Sequence, residues 1–299
     1  MAKAKHVKGE WKRLTVQAAM FLLQNPKLQN FFLGTIDTGK TKVVCAPGLN
    51  CYSCPAAIGA CPIGALQNAL SKQKPSFPFY VLGFLLLFGM LFGRWICGWV
   101  CPFGLVQDLV HRIPFPKKIA SFRLERVLRF LKYAVLALLV VLLPLLDSLV
   151  PYFCKYLCPS GTLFGAIPLT LTNPQLRAQV GPLFFWKLGV LVALLLLSVP
   201  ISRPFCRWLC PLGAIYGLFN RFALVQLRYD EPTCVHCGAC EAACPMGIDP
   251  KKQYASTECI RCSRCARVCP KGSLALRFGI GTKYAADGSQ ADSHKNSTM

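Results

Sequence analysis

The sequence predicts a mainly α-helical membrane protein with four transmembrane helices, followed by a small cysteine-rich domain. Two observations lead to this prediction. Hydrophobic residues make up 54% of the 299 residues and charged residues only 15%, a balance typical of a chain that lies largely in lipid. The 18 cysteines occur in repeated short runs, and four of these runs stand beside long apolar stretches.

The first element is expected to be a basic cytoplasmic arm, residues 1–13, followed by a first span at about 14–36. Gln24-Asn25-Pro26-Lys27 interrupts this stretch, which is either a kinked span or an interfacial helix. Lys and Arg concentrate in the arm and in the connection between the second and third spans, whereas the connection after the third span has few. Basic residues favour the cytoplasmic side, so the distribution requires four spans with both termini in the cytoplasm.

Three further apolar stretches predict the remaining spans, at about 79–96, 128–150 and 183–201. We therefore expect a multi-pass protein of a prokaryotic inner membrane, whose membrane domain covers residues 14–226. Hydropathy falls from Leu227, which indicates a compact domain over 227–278. The Gly- and Ser-rich residues 279–299 are expected to form a disordered tail.

The compact domain contains two consecutive C-x2-C-x2-C-x3-C-P runs, the bacterial ferredoxin spacing for two [4Fe-4S] clusters. Three thiolates of one run bind one cluster from a tight loop, and the fourth binds the other cluster. A zinc site would instead use two C-x2-C pairs with a longer gap, or histidine. The predicted ligands are Cys234, Cys237, Cys240 and Cys269 for cluster 1, and Cys259, Cys262, Cys265 and Cys244 for cluster 2.

Three C-x3-C-P pairs lie at the ends of predicted spans, and each supplies half of a four-cysteine site. Two pairs follow the cytoplasmic ends of the second and fourth spans, so they can complete one cluster together. The predicted ligands of this inner membrane cluster are Cys97, Cys101, Cys206 and Cys210. Iron is the expected metal, bound through these cysteines as in the C-terminal domain.

The third pair, Cys154 and Cys158, lies at the opposite membrane face and needs partners there. The loop between the first and second spans offers Cys45, Cys51, Cys54 and Cys61. The pattern favours an outer cluster bound by Cys54, Cys61, Cys154 and Cys158, with Cys45 and Cys51 as substitutes or as a disulfide. The alternative is a cluster bound by the four loop cysteines alone, which leaves the third pair unused.

The positions of the histidines and of the basic residues bear on haem, lipid and nucleic acid as further ligands. No haem is expected, because none of the four histidines lies in the middle of a span. The formal net charge of +22 follows the membrane flanks, which indicates contact with anionic lipid and no nucleic-acid partner. No acid–base constellation is recognisable, so the chain is expected to act as an electron-transfer subunit of a multisubunit oxidoreductase complex.

The motifs resemble those of polytopic 4Fe-4S-binding membrane proteins over roughly Leu14 to Phe278. They are CGWVCPFGLVQD from Cys97, CKYLCP from Cys154, CRWLCPLGA from Cys206 and the two ferredoxin runs. The chain is similar to the membrane quinol dehydrogenase subunit of periplasmic nitrate reductase systems and to the membrane half of the nitrous-oxide reductase regulator. The resemblance implies quinol oxidation, but the additional outer cysteines favour relatives that donate electrons to flavin-carrying proteins outside the cytoplasm.

These observations predict an iron–sulfur electron-transfer protein with four [4Fe-4S] clusters. Electrons are expected to enter from a soluble ferredoxin or a cytoplasmic redox subunit. They are expected to leave to an extracytoplasmic redox protein, while a quinone is the partner in the rival interpretation. The alternatives are a quinol dehydrogenase subunit and, second, a redox-sensing or assembly factor.

Overall fold

The computed structural model describes residues 9–37, 39–70, 78–116, 118–119, 124–146 and 150–279. The predicted tail beyond Gly279 and residues 1–8 of the basic arm lie outside these ranges. Over the described residues the fold is mainly helical, as the sequence predicts. In chain order the helices are α1 (Glu10–Gln24), α2 (Asn30–Leu33), α3 (Pro62–Leu70), α4 (Phe79–Phe92), α5 (Trp95–Trp99), α6 (Pro102–Val110), α7 (Glu125–Leu146), α8 (Phe153–Leu157), α9 (Pro159–Gly161, Thr162–Ala166 and Ile167–Thr172), α10 (Pro174–Ala178), α11 (Pro182–Ser198), α12 (Pro204–Trp208), α13 (Pro211–Phe219), α14 (Ala239–Ala242) and α15 (Arg264–Val268).

The predicted first span, 14–36, is not one continuous helix but the two helices α1 and α2. Helix α1 ends before Pro26, because the residue preceding a proline disfavours helical backbone angles. With 15 residues it is about 22 Å long, shorter than a hydrocarbon core of about 30 Å. Its buried side chains include Arg13 and Gln17, so one face of α1 packs on protein.

The three longest apolar helices are α4, α7 and α11. Within the described ranges only α7 is both long and apolar enough to cross a membrane, with 22 residues and a mean hydropathy of 2.1. The apolar helices α4 and α11 are shorter, with 14 and 17 residues. The predicted second span, 79–96, is divided because Gly93 adopts a φ of +54° and ends α4 before α5 begins.

One structural unit occurs three times along the chain. A long helix is followed by a five-residue helix, then by a cysteine, and then by a helix that begins with proline. The three units are α4–α5–α6, α7–α8–α9 and α11–α12–α13. Each C-x3-C-P motif therefore lies on a sharp turn between two helices, where its two thiols project from adjoining elements.

The C-terminal domain is enclosed by an antiparallel strand pair, β1 (Val225–Tyr229) and β2 (Leu274–Phe278). The register runs from Val225 opposite Phe278 to Tyr229 opposite Leu274, so the sheet begins two residues before the predicted boundary at 227. Both cysteine runs lie between these strands. One continuous hydrophobic core joins this domain to the helices that precede it.

Candidate iron–sulfur sites

The C-terminal domain contains two cavities, and each is lined by one of the predicted cysteine quartets. Lys251 and Ser273 line the first cavity together with its cysteines, and apolar side chains such as Leu227 and Ile260 line the second. The tight loops of each run bring three thiols to one cavity and send the fourth to the other, as the spacing predicts. The first cavity holds Cys234, Cys237, Cys240 and Cys269, and the second holds Cys244, Cys259, Cys262 and Cys265.

The second cysteine of each C-x3-C-P pair is a helix N-cap. Cys101, Cys158 and Cys210 have extended backbone angles, and each is followed by proline at the first helical position. Proline suits this position because its missing N–H has no partner there, and it keeps the preceding cysteine extended. The amides of Gly161 and Gly213 donate to the Sγ atoms of Cys158 and Cys210 at 3.4 and 3.3 Å. Such bonds stabilise a thiolate ligand.

The inner site brings together the four cysteines that the sequence predicts. Cys97, Cys101, Cys206 and Cys210 are between 4% and 7% exposed. Burial raises the pKa of the Cys210 thiol well above its ordinary value, and the nearby Cys206, Cys97 and Cys101 raise it further. Protonated thiols that are buried side by side become thiolates when metal replaces their protons. This donor set fits a [4Fe-4S] cluster.

Two buried arginines connect the halves of the inner site reciprocally. Arg94 donates to the backbone carbonyl of Cys206 at 2.8 Å, and Arg203 donates to the backbone carbonyl of Cys97. Arg94 lies three residues before Cys97 and bonds to Cys206, whereas Arg203 lies three residues before Cys206 and bonds to Cys97. Both guanidinium groups are fully buried, so each stabilises the negative charge that a thiolate-bound cluster carries.

Two glycines and one glutamine surround the buried arginines and the cysteines of the inner site. A Cβ on Gly213 would lie 3.2 Å from Arg94 Nη2, and one on Gly104 would lie 3.3 Å from Arg203 Nη1. Glycine three residues after the cysteine therefore lets each arginine approach the helix N-terminus. Gln107 Nε2 donates to Cys206 Sγ at 3.2 Å, which is a direct hydrogen bond to a predicted ligand.

Carboxylates neutralise the buried arginines, and the sequence analysis did not identify them. Asp108 accepts from Arg203 Nε at 2.9 Å and from Arg13 at 2.7 Å. Glu258 accepts from Arg94 at 3.1 Å and also pairs with Lys132. Asp108 ends the sequence stretch that begins at Cys97, and Glu258 directly precedes Cys259. Their closeness to cysteines in the sequence could have indicated these two carboxylates. Their arginine partners could not be predicted, because they come from distant parts of the chain.

The loop of the second ferredoxin site lies directly against the inner site. A Cβ on Gly98 would overlap the carbonyl oxygen of Ile260 and lie 3.8 Å from the Cα of Cys262. Trp99 Nε1 donates to Arg261 O at 3.1 Å. The contact therefore joins residues adjacent to Cys97 with residues inside the C-terminal cysteine run.

The same interface is strengthened by Asn220. Its Nδ2 donates to the carbonyls of Ser256 and Cys259, both at 2.8 Å, and its Oδ1 accepts from the backbone N–H of Arg94 at 2.9 Å. Buried polar groups that are fully hydrogen-bonded specify one arrangement of the elements they connect. The C-terminal domain is thereby held in one orientation on the inner site.

The outer site is formed by four thiols, and one of them differs from the favoured prediction. Burial raises the pKa of the Cys154 thiol well above its ordinary value, and the nearby Cys158, Cys61 and Cys51 raise it further. The Sγ atoms of Cys51 and Cys158 lie 3.5 and 3.8 Å from the point that a Cβ on Gly161 would occupy. The structure thus places Cys51 in the group for which the sequence favoured Cys54.

The two remaining cysteines, Cys45 and Cys54, have other surroundings. Cys54 is fully buried in a small apolar cluster with Ala56 and Ala57, against which Cys51 packs, and its Sγ lies 3.4 Å from Asn25 Oδ1. Cys45 pairs with Ala60 in an isolated parallel bridge. No disulfide is present among the 18 cysteines, all of which lie within the described residues. Of the two roles that the sequence left open for Cys45 and Cys51, disulfide or substitute ligand, the arrangement favours Cys51 as a substitute ligand. In the alternative set of four loop cysteines, Cys45 and Cys54 would have to replace Cys154 and Cys158 beside Cys51 and Cys61.

Over the described ranges, no three His, Cys, Asp or Glu side chains are arranged to hold one metal ion. The thiols that precede the C-terminal domain form two groups of four, and each C-terminal quartet lines a cavity. A [4Fe-4S] cluster takes one thiolate at each of its four irons, so quartets of buried thiols fit it.

Comparison with known protein families agrees with this assignment of cofactor. A model described as "4Fe-4S binding domain" matches residues 74–123, 133–167 and 183–228, and these segments coincide with the three repeated helical units. A "4Fe-4S dicluster domain" matches residues 226–270. The chain is an iron–sulfur protein. Its cofactors are [4Fe-4S] clusters, and the dicluster match covers the C-terminal cysteine runs of this iron–sulfur protein.

Individual relatives of the iron–sulfur protein match over part of their length. It is 40% identical over 90 residues to the methylamine utilization ferredoxin-type protein MauN of Paracoccus denitrificans, covering 29% of this chain and 32% of MauN. An uncharacterized protein of Methanocaldococcus jannaschii is 31% identical over 153 residues, 49% of this chain and 56% of the relative. The putative electron transport protein YccM of Escherichia coli is 33% identical over 70 residues, 22% of this chain and 20% of YccM. No solved structure matches.

Proposed function

We propose that this iron–sulfur protein is a membrane-bound electron conduit with four cluster sites in a row, which lead from a cytoplasmic C-terminal domain to the far side of the membrane. The bound [4Fe-4S] clusters supply one-electron transfer. The observation that carries the proposal is the contact between successive sites. The two ferredoxin sites share one domain, and Gly98 and Ile260 join the second of them to the inner site. The loop from Cys45 to Cys51 joins the inner site to the outer one through Gly48, which packs on Cys101, and Leu49, which accepts from Ser160.

The solvent exposure of the individual sites supports entry of electrons at the C-terminal domain and exit at the outer site. At the first ferredoxin site Cys237 is exposed and Val235 is 54% exposed, so a soluble ferredoxin or a cytoplasmic redox subunit can approach it. The inner-site cysteines are almost completely buried, which excludes water from the middle of the row. The proposed partner at the outer site is an extracytoplasmic redox protein, of the flavin-carrying kind that the resemblance implies.

The membrane topology is part of the proposal. The apolar helices α4, α7 and α11 are the proposed second, third and fourth crossings, and α1 with α2 forms a broken first crossing. Gly9 and Glu10 lie against Arg267 and Arg264 of the C-terminal domain, at 2.7 and 2.6 Å, which supports an arrangement with both ends of the chain on one side. That side is cytoplasmic by the distribution of Lys and Arg.

Iron content and EPR spectra of purified protein, with the matched variants Cys51→Ser and Cys54→Ser, test the proposed sites. Four clusters correspond to about 16 iron atoms per chain. We expect Cys51→Ser to lower the iron content to about 12 atoms, because it removes an outer ligand, and Cys54→Ser to leave it unchanged. A wild-type protein with only about 8 iron atoms, all in the C-terminal domain, would contradict the proposal.

The donor is tested with wild-type protein in liposomes that enclose a redox dye. Chemically reduced ferredoxin added outside is expected to reduce the enclosed dye when the C-terminal domain faces outward. A quinol analogue is the comparison donor. Reduction of the clusters by the quinol analogue, without transfer to the enclosed dye, would instead identify a quinol dehydrogenase subunit.

A further inference from the structure

The loop from Cys45 to Cys51 lies between the inner and outer sites and contacts both. Cys101 Cα lies 3.1 Å from the point that a Cβ on Gly48 would occupy, so the loop packs on an inner-site cysteine. The carbonyl of the next residue, Leu49, accepts a hydrogen bond from Ser160 Oγ at 3.0 Å. Ser160 is fully buried and lies two residues after Cys158, an outer-site thiol. Two successive residues of the loop therefore connect the two sites.

Tyr216 packs beside the same loop. It lies on α13, six residues after Cys210, and its side chain is fully buried. Its hydroxyl donates to Pro47 O at 3.1 Å, which attaches the aromatic ring to the loop. Helix α13 begins directly after the inner-site Cys210 and packs against α3, which begins directly after the outer-site Cys61, so Tyr216 lies between elements of both sites.

We propose that Tyr216 and the Cys45–Cys51 loop form the electron-transfer bridge between the inner and outer cluster sites. The proposal rests on the proposed function, because it requires both sites to hold clusters. One electron leaves the inner site as the outer site gains one, and no bond is formed or broken. Electron tunnelling weakens steeply with distance and weakens faster across a void than through packed atoms. A close-packed ring bonded to the linking loop is therefore a suitable medium.

The experiment compares three full-length variants. Tyr216→Leu removes the ring and leaves a void between the sites, whereas Tyr216→Phe retains the ring and removes only the bond to Pro47. Tyr80→Phe is the matched control, because the Tyr80 hydroxyl bonds to the backbone N–H of Cys45 in the same loop at 3.1 Å, while its partly exposed ring does not occupy the gap. Iron content and EPR spectra are recorded first, so that the assembly of clusters is measured separately from their coupling.

Two measurements then report on the bridge: the rate at which the outer cluster is reduced after rapid photoreduction of the ferredoxin clusters, and the magnetic interaction between the reduced inner and outer clusters. With iron content unchanged, Tyr216→Leu is expected to slow reduction of the outer cluster at least tenfold and to weaken the interaction. Tyr216→Phe and Tyr80→Phe are expected to stay within about twofold of wild type.

Wild-type rates and coupling in a fully loaded Tyr216→Leu variant would overturn the proposal. If this variant loses iron, Tyr216→Met takes its place, since methionine fills more of the space without an aromatic ring. Loss of outer-site iron from both variants would also overturn the proposal, because Tyr216 would then be part of the site's architecture. A wild-type protein without outer-site iron would instead contradict the proposed function, so the two failures are distinguishable.

Discussion

A single glycine determines how closely the C-terminal domain approaches the inner site. Gly98 lies between the two inner-site residues Cys97 and Trp99, and its Cα faces the carbonyl of Ile260 without space for a side chain. The packing here is tight because backbone meets backbone, and backbone atoms cannot move aside as a flexible side chain does. Only glycine therefore fits at this position without displacing one of the two backbones.

We predict that Gly98→Ala destabilises the protein by about 1–3 kcal/mol, the usual cost of overpacking a buried contact, and slows electron transfer from the C-terminal domain. Denaturant unfolding and the reduction rate of the inner cluster measure the two effects. Gly83→Ala in α4 is the control, because nothing lies within 4 Å of its added methyl group and alanine favours a helix. Equal stability and equal rates in both variants would contradict this account.

At the scale of elements, α1 is held on the C-terminal domain by charge. Glu10, at the first position of α1, accepts from Arg264 at 2.6 Å and pairs with Arg13 at 3.0 Å. Burial raises the pKa of Glu10, but Arg264 and Arg13 together lower it more, so its pKa lies below the ordinary value. A carboxylate with a lowered pKa stabilises the folded state above its unfolded pKa of about 4.3, and this contribution is lost as pH falls through the folded pKa.

We therefore predict that α1 loosens from the C-terminal domain as the pH falls from about 5 to about 3. Hydrogen exchange of the backbone amides of α1 measures the change. The variant Glu10→Gln is expected to exchange faster already at neutral pH and to show a weaker dependence on pH. Glu231→Gln, at an exposed position, serves as the control and is expected to behave as wild type. An identical pH profile in wild type and Glu10→Gln would exclude this role for Glu10.

Across the whole molecule, the cysteine spacing predicted both C-terminal quartets and the inner quartet, because ligands within one motif are positioned by local turns. For the outer site the sequence favoured Cys54 and offered Cys51 as a substitute, and the structure groups Cys51 with Cys61, Cys154 and Cys158. Cys51 and Cys54 belong to the same turn, so spacing does not distinguish them, whereas Asn25, which faces Cys54, lies far away in the sequence. The division of the first span followed from Pro26, whereas the reciprocal arginines arise only when two repeated units dock.

The contact between the Cys45–Cys51 loop and Cys101 has a consequence for biogenesis. Cys101 Cα and Pro102 Cδ both lie 3.1 Å from the point that a Cβ on Gly48 would occupy, so the loop rests on the start of α6. The proposed outer ligand Cys51 ends this loop. Its position therefore depends on the packing of the loop against the inner motif.

Maturation of the membrane clusters is accordingly expected to be ordered, with the inner cluster inserted before the outer one. Cys101→Ser is predicted to lose both membrane clusters and to retain about 8 iron atoms per chain, while Cys61→Ser is predicted to lose only the outer cluster and to retain about 12. Iron analysis of the two purified variants measures this difference, and a loss of one cluster from each would mean independent insertion. In the proposed conduit, ordered insertion would mean that a protein with only the inner cluster carries its electrons no farther than the inner site, so that an incomplete protein would not pass them on.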